Sequence, residues 1–454
     1  MAGRLLAEKF AEFAASLKFS QIPKEVVDEA KRRFLDTLGV SVGAFNAPPS
    51  VIARKVAARF PARDGASVIL EKVKTTPDWA AFVNGVMARY LDFNDTYLSK
   101  EALHPSDIIP ALVAACEITG TGGKRLVEGI VAGYEAVCRL ADAASIRDRG
   151  WDHVAYIAIG ASVGAGKVMG LDEEKLTHAI NIATVASAAL RQTRAGELSM
   201  WKGCAAANAA RHGLFASLLA RQGMTGPSPI FEGEMGFWKQ VSGEFTIEEL
   251  GEKRYKILET SIKNWPVEYH SMSAVEAALR LREKINGKVD EIEFIKVETF
   301  TVSHKIIVKD PEKWNPRTRE TADHSLPYIT ARALLDGFIW IESFKNDKIM
   351  AEDVRGLMRN MTIEVNPEYD NLYPEAVPNK LVVKLRDGRL YEEEVIYPKG
   401  HYRNPLTDEE LHSKFMKLAS KPLGRKRAEQ VIKLVQELEK IKQITRLTRL
   451  LSKR

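Results

Sequence analysis

The hydrophobic period of this chain changes near residue 290, and the change divides what it can fold into. Through the first ~260 residues, apolar side chains recur three and four positions apart with few alternating β-branched runs, the pattern of successive amphipathic helices. At E-I-E-F-I-K-V-E-T-F-T-V the period becomes two, and M-T-I-E-V and K-L-V-V-K-L-R-D-G-R-L-Y-E-E-E-V-I-Y continue it. Asp387-Gly388 between alternating runs predicts a hairpin closed by a type I′ turn, because both residues tolerate positive φ. Beyond Lys399-Gly400 helix returns, and Val431, Leu434, Val435, Leu438 and Ile441 mark one apolar stripe through the last helix. A chain of 454 residues exceeds what one core usually serves. The expected fold is therefore mainly α: a large all-helical domain, residues 1–264 plus 401–454, with a smaller α+β domain, 265–400, inserted in it. An insertion of that kind creates a cleft at the junction, a preferred place for small-molecule sites.

Pro23 and the Pro77-Asp78 pair mark helix starts, and further helices are expected from Ser106, Gly123, Val154, Asp172 and Met200. Trp79, Phe82, Val83, Val86 and Tyr90 fall on one face of the second of these helices. I-A-I-G-A-S-V-G-A-G-K and G-C-A-A-A-N-A-A-R-H-G are so rich in small residues that their helix axes can approach closely, as in the centre of a bundle or a subunit interface.

The run from Val154 to Leu171 is interrupted by Lys167 and four glycines, so a buried helix is expected rather than a membrane span. The N-terminal M-A-G-R-L-L-A-E-K-F lacks a signal-peptide core, and Cys116, Cys138 and Cys204 stand far apart in apolar stretches. Both readings suit a reducing, cytoplasmic setting. The net charge of +6 arises from 66 basic and 60 acidic residues, with the excess at a helical C-terminus and no interleaved aromatics, so no nucleic-acid partner is expected.

The densest polar cluster is Asp92-Phe93-Asn94-Asp95-Thr96, followed after seven residues by His104-Pro105-Ser106-Asp107. Helix capping would account for Ser106 and Asp107, but it does not require Asp92, Asn94 and His104 together. In R-D-R-G-W-D-H-V, His153 stands at a helix start, where the dipole favours anions. Lys202, just ahead of an alanine-rich helix, either snorkels to the surface or is costly to bury without a partner, which an anion in a pocket would supply. Arg191 in A-L-R-Q-T-R, Lys263 ahead of Trp265-Pro266 and His270, and His324 and Tyr328 in D-H-S-L-P-Y complete the set. Several cations and histidines with one acid suit a multiply charged carboxylate. No G-x-G-x-x-G after a strand, Walker A, G-x-S-x-G or H-E-x-x-H sequence occurs, which removes the usual support for dinucleotide, P-loop, α/β-hydrolase and zincin readings. Three scattered cysteines argue against an iron–sulfur cluster.

Taken in order, L-D-F-N-D-T-Y-L-S-K-E-A-L-H-P-S-D, R-G-W-D-H-V, L-R-Q-T-R, M-W-K-G-C-A-A-A-N-A-A-R, K-N-W-P-V-E-Y-H-S, A-D-H-S-L-P-Y and Y-P-K-G-H resemble the MmgE/PrpD family over nearly the whole chain. The resemblance implies a helical domain with a smaller α+β lid, a homodimer, and chemistry on citrate-like tricarboxylates with neither cofactor nor metal. It also implies a site comprising Asp92, Thr96, His104, His153, Lys202, Lys263 and Tyr328, all but Thr96 already singled out above. D-F-N-D, D-H-V after R-G-W, and the spacing from Thr96 to His104 resemble the branch that removes water from 2-methylcitrate and citrate more than the branch that decarboxylates cis-aconitate. Isomerisation of a related acid is a further alternative, and a catalytically silent scaffold would not need Asp92, His104, Lys202 and Tyr328. The expected chemistry uses Lys202, Lys263 and Arg191 for carboxylates, His104, His153 or Asp92 as base, and Tyr328 or the second histidine as acid.

Overall fold

The computed structural model describes residues 4–247, 250–251 and 254–453; the first three residues of the N-terminal segment read above lie outside them. The chain forms two compact units. The larger comprises Met1–Thr193, Gly203–Thr260 and Thr407–Arg454, and the smaller Arg194–Lys202 and Ser261–Leu406. The fold is mainly α: the larger unit is helical apart from its loops and one short strand, Pro61–Ala66, and the smaller one holds a small sheet.

In the larger unit the small-residue helices lie at the centre. Val154–Met169 packs on Gly123–Ala143 through four glycines. A methyl group on Gly160 would sit 3.0 Å from the Gly133 carbonyl oxygen, and one on Gly164 only 2.8 Å from that of Gly129. Ala205–Arg221 closes on the same helix from another side, where a methyl group on Gly213 would meet the Ala158 carbonyl oxygen at 2.5 Å. Contacts this short bring backbone against backbone, so even one added carbon forces a helix to move. The helix Pro77–Tyr90 is more enclosed than its sequence suggests: from Val83 to Tyr90 every residue is buried, so its apolar face is not one-sided. No described helix is long and apolar enough to cross a membrane, and all three cysteines are buried thiols.

Thr407 and Glu410 form a reciprocal cap at the start of Asp408–Leu423: Glu410 N donates to Thr407 Oγ1 (3.2 Å) and Thr407 N to Glu410 Oε2 (2.6 Å). The C-terminal stripe survives, with Val431, Val435, Leu438 and Ile441 buried, but the single long helix does not. Arg425–Gln436 ends where Glu437 leaves helical dihedrals (φ −106°, ψ 29°), and the short helix Thr445–Leu451 follows.

The smaller unit holds a four-stranded sheet in the order Met361–Val365, Ile292–Thr299, Asn379–Leu385, Leu390–Val395. The first pair is parallel and the other two are antiparallel. Asn379, Leu381, Val383 and Leu385 alternate inward against the helix Met272–Lys284. The hairpin forms where expected, but by a different turn. Of the two turn residues only Gly388 has positive φ (89°); Gly388 N donates to Leu385 O (2.9 Å) and Leu385 N to Arg389 O (2.9 Å). A three-residue loop with a left-handed glycine spares Asp387 the positive φ that a type I′ turn would demand.

His401 lies buried beside Tyr397 and Tyr402, and its Nδ1 accepts from Arg403 N at 3.0 Å. An imidazole held as an acceptor must be neutral there, and burial pushes its pKa down to about 4. The unfolded chain takes up a proton near pH 6.5 while the folded chain does not, so stability is complete above that value and falls as pH drops toward 4. The loss should approach about 3 kcal/mol. Denaturant unfolding at about pH 7 and about pH 4.5 should show a smaller difference in His401→Gln than in the parent chain.

Candidate active site

The polar segment singled out in the sequence is a buried loop of the larger unit. The helix Pro77–Tyr90 ends because Asp92 adopts a left-handed backbone (φ 52°), a conformation that costs a non-glycine residue roughly 1–3 kcal/mol and persists only where surroundings enforce it. Arg89, one turn earlier, donates to the Asp92 carboxylate and lies 3.8 Å from Asp107 Oδ2. Asn94 Nδ2 donates to Ser106 Oγ (3.0 Å) and Asp107 Oδ1 (2.9 Å), and Ser106 N donates to Asp95 Oδ1 (3.0 Å). Ser106 therefore ties the loop across its width rather than capping Ile109–Thr119, which starts without a side-chain cap. Tyr134 donates to Asp95 Oδ2 (2.7 Å), and burial raises the Asp95 carboxyl above its usual range against the opposing pull of Arg33.

Beneath the loop, Lys414 pairs with Asp36 at 2.6 Å, donates to Phe93 O at 2.9 Å, and lies 3.8 Å from the Phe93 ring centre. Burial pushes the Asp36 carboxyl up, and Lys414 opposes it. Lys414→Met should strand this carboxylate and cost about 3–5 kcal/mol, as broken buried pairs do. Denaturant unfolding would show it, with much of the loss recovered in Lys414→Met/Asp36→Leu.

Two imidazoles meet above this frame. His104 Nδ1 lies 2.7 Å from Asp95 O and 3.1 Å from Thr96 Oγ1; since a carbonyl only accepts, Nδ1 carries the hydrogen and Nε2 is the basic nitrogen of the neutral ring. His153 Nδ1 faces the buried Asp152 Oδ1 at 3.1 Å, which orients that ring the same way. The ring centres are 5.9 Å apart. Arg191 is half-buried on a strip that pairs with the His153 segment: Asp152 N donates to Ala189 O (2.7 Å) and Arg191 N to Gly150 O (2.9 Å).

The remaining candidates belong to the smaller unit. Lys202 is buried, 3.6 Å from Asp323 Oδ1 and 3.4 Å from His324 Nδ1, while His324 Nδ1 contacts Asp323 Oδ1 at 2.6 Å. Lys263 is fully buried and donates to Val267 O at 3.0 Å. His270 Nδ1 bonds Glu268 Oε1 at 2.7 Å, its ring packed against Phe300 and Tyr373. Burial alone would raise the Glu268 carboxyl, but His270, His324 and Lys263 outweigh it and hold it below the usual carboxylate range. Tyr328 lies in the first turn of the helix Leu326–Asp336. Its hydroxyl donates to Ser343 O at 2.5 Å beside Phe344, and burial pushes its pKa up to about 12.

Asp92, Thr96, His104, His153 and Arg191 thus belong to one unit, and Lys202, Lys263, His270, His324 and Tyr328 to the other. Sequence reasoning passed over Arg89, Glu268 and Asp323. Asp323 adjoins His324 in A-D-H-S and Glu268 precedes His270 by two residues, so an acid beside each chosen histidine was the available signal.

Two known domain families match the chain in succession, with Lys202 inside the first of them. The MmgE/PrpD N-terminal domain matches residues 8–250 and the MmgE/PrpD C-terminal domain residues 265–440. The chain is 29% identical over 474 residues to cis-aconitate decarboxylase of Mus musculus, covering 98% of this chain and 93% of that one. It is 27% identical over 412 residues to 2-methylcitrate dehydratase of Escherichia coli (strain K12), covering 84% of this chain and 83% of the relative. The 2-methylcitrate dehydratase of Cupriavidus necator is likewise 27% identical over 412 residues. With both domain families matched in order along its length, this chain belongs to the MmgE/PrpD family.

Proposed function

We propose that the chain is a hydro-lyase that converts 2-methylcitrate to 2-methyl-cis-aconitate, and citrate to cis-aconitate, by acid–base catalysis. The observation that carries this reading is the pair His104 and His153, two imidazoles 5.9 Å apart whose Nδ1 atoms both face oxygen acceptors. Dehydration needs two proton transfers. The C–H bond α to a carboxylate breaks and its proton passes to the Nε2 of one neutral imidazole; the C–O bond breaks and its oxygen leaves as water after taking the Nε2 proton of the other, which enters the cycle as imidazolium. Lys202 and Lys263, with Arg191, bind substrate carboxylates and stabilise the charge that develops next to the carbanion. Thr96 positions His104, and Asp92 orients the loop through Arg89. Tyr328, its hydroxyl committed to Ser343 O, serves as a packing residue of the Leu326–Asp336 helix in this scheme. The protein acts in solution as a cytoplasmic homodimer.

A second reading, decarboxylation of cis-aconitate, is favoured by the 29% identity to the mouse decarboxylase across 98% of this chain. That reaction needs one proton donor for the carbanion, not a base and an acid. Parallel incubations separate the two. A new conjugated double bond from 2-methylcitrate, with no carbon dioxide released from cis-aconitate, supports dehydration; the opposite pattern overturns it in favour of decarboxylation.

A further inference from the structure

The smaller unit buries more positive charge than the proposed chemistry has so far used. Lys313 is 4% exposed, sits in a four-residue helical turn (Pro311–Trp314), and its ammonium makes no hydrogen bond or ion pair with any described residue. Its backbone is fixed to the segment bearing His324, because Ser325 Oγ donates to Lys313 O and also caps the helix that follows. Glu268 N donates to Asp323 O at 2.8 Å, drawing the Lys263–His270 segment to the same place.

Lys202 opposes the Lys313 charge there; of the acids that favour it Asp310 acts most, though it forms no ion pair with Lys313, while Asp323 is engaged by His324 and Lys202 and Glu268 by His270. Burial first, and then Lys202, press the Lys313 pKa downward. A lysine this enclosed, opposed by a second ammonium and with no acid in contact, is an unfavourable arrangement unless an anion completes it. Buried lysines are ordinarily paired.

We infer that Lys313 is a substrate-binding residue that shares one carboxylate of the tricarboxylate with Lys202. The inference rests on the function proposed above for the identity of the anion, but not for its existence. Two ammonium groups on one carboxylate also discriminate by charge: a neutral or alkyl group at that position of the substrate would leave both lysines buried and unanswered.

The test compares Lys313→Met and Lys313→Arg with the parent chain. The probes are tricarballylate, which has three carboxylates but no hydroxyl to lose, and inorganic phosphate. Lys313→Met should weaken tricarballylate binding by calorimetry at least tenfold and raise KM more than it lowers kcat, whereas Lys313→Arg should stay within a few-fold. The ligand-free Lys313→Met protein should melt at or above the parent temperature, since an unpaired buried charge has been removed; a structural lysine would give a lower value. Unchanged tricarballylate affinity in Lys313→Met overturns the inference and leaves the proposed function standing. If the parent neither binds nor converts tricarboxylates, phosphate decides: stabilisation of the parent but not of Lys313→Met keeps the anion site while the proposed function falls. Equal stabilisation of both, or of neither, overturns the inference as well.

Discussion

Lys202→Met is expected to lower kcat/KM for 2-methylcitrate by about 10²- to 10³-fold, the effect of deleting one preorganised donor to developing negative charge. The position has the required character, because Lys202 is buried and held by Asp323 and His324 within the smaller unit. Its ammonium is fixed before substrate arrives, so little reorganisation is needed as charge builds on the carboxylate next to the carbanion. The fold should survive, since Asp323 keeps His324 at 2.6 Å when the lysine is gone. Steady-state kinetics with a circular dichroism spectrum of the variant checks both halves. Activity within about threefold of the parent would remove Lys202 from the site.

The second large effect falls on the two imidazoles. His104→Gln and His153→Gln should each cost about 10²- to 10⁴-fold in kcat, the usual range for a positioned acid or base. The double variant should lose little more than the worse single one, because a base without its acid partner completes no turnover. The pH–rate profile assigns the roles. The residue that takes the proton must be neutral, so its protonation produces the acidic limb of kcat/KM, and its removal should flatten that limb. An acidic limb unchanged in one variant excludes that histidine as the base.

Most of the architecture was legible because it is written in local signals. Helices begin at Gly123 and Val154 as expected, and M-T-I-E-V forms a strand of the same five residues. The hairpin turn differs in kind from the expected one because only one residue, Gly388, takes positive φ. The site was legible as a set of residue types but not as pairings. Nothing near His104 in the sequence says that its Nδ1 will face the carbonyl nine residues earlier, which is what fixes its basic nitrogen. Ser106 looked like a cap because capping is local, whereas its partner Asn94 is reached across a loop. Lys313 lies in K-D-P-E-K-W, a charged stretch that reads as solvent-facing, and only tertiary packing buries it. The asymmetry is physical: propensity and periodicity act over a turn or two, while the partners of a buried polar group are chosen by the fold.

The dehydration assignment is decided by running the reaction toward hydration. The parent protein, incubated with 2-methyl-cis-aconitate in deuterium oxide, should form 2-methylcitrate bearing a single deuterium on the methyl-bearing carbon, seen by proton NMR as collapse of the methyl doublet. That result requires a base and acid pair acting on this tricarboxylate. Recovery of unreacted 2-methyl-cis-aconitate from folded protein, or a product that has lost a carboxylate, would contradict the account.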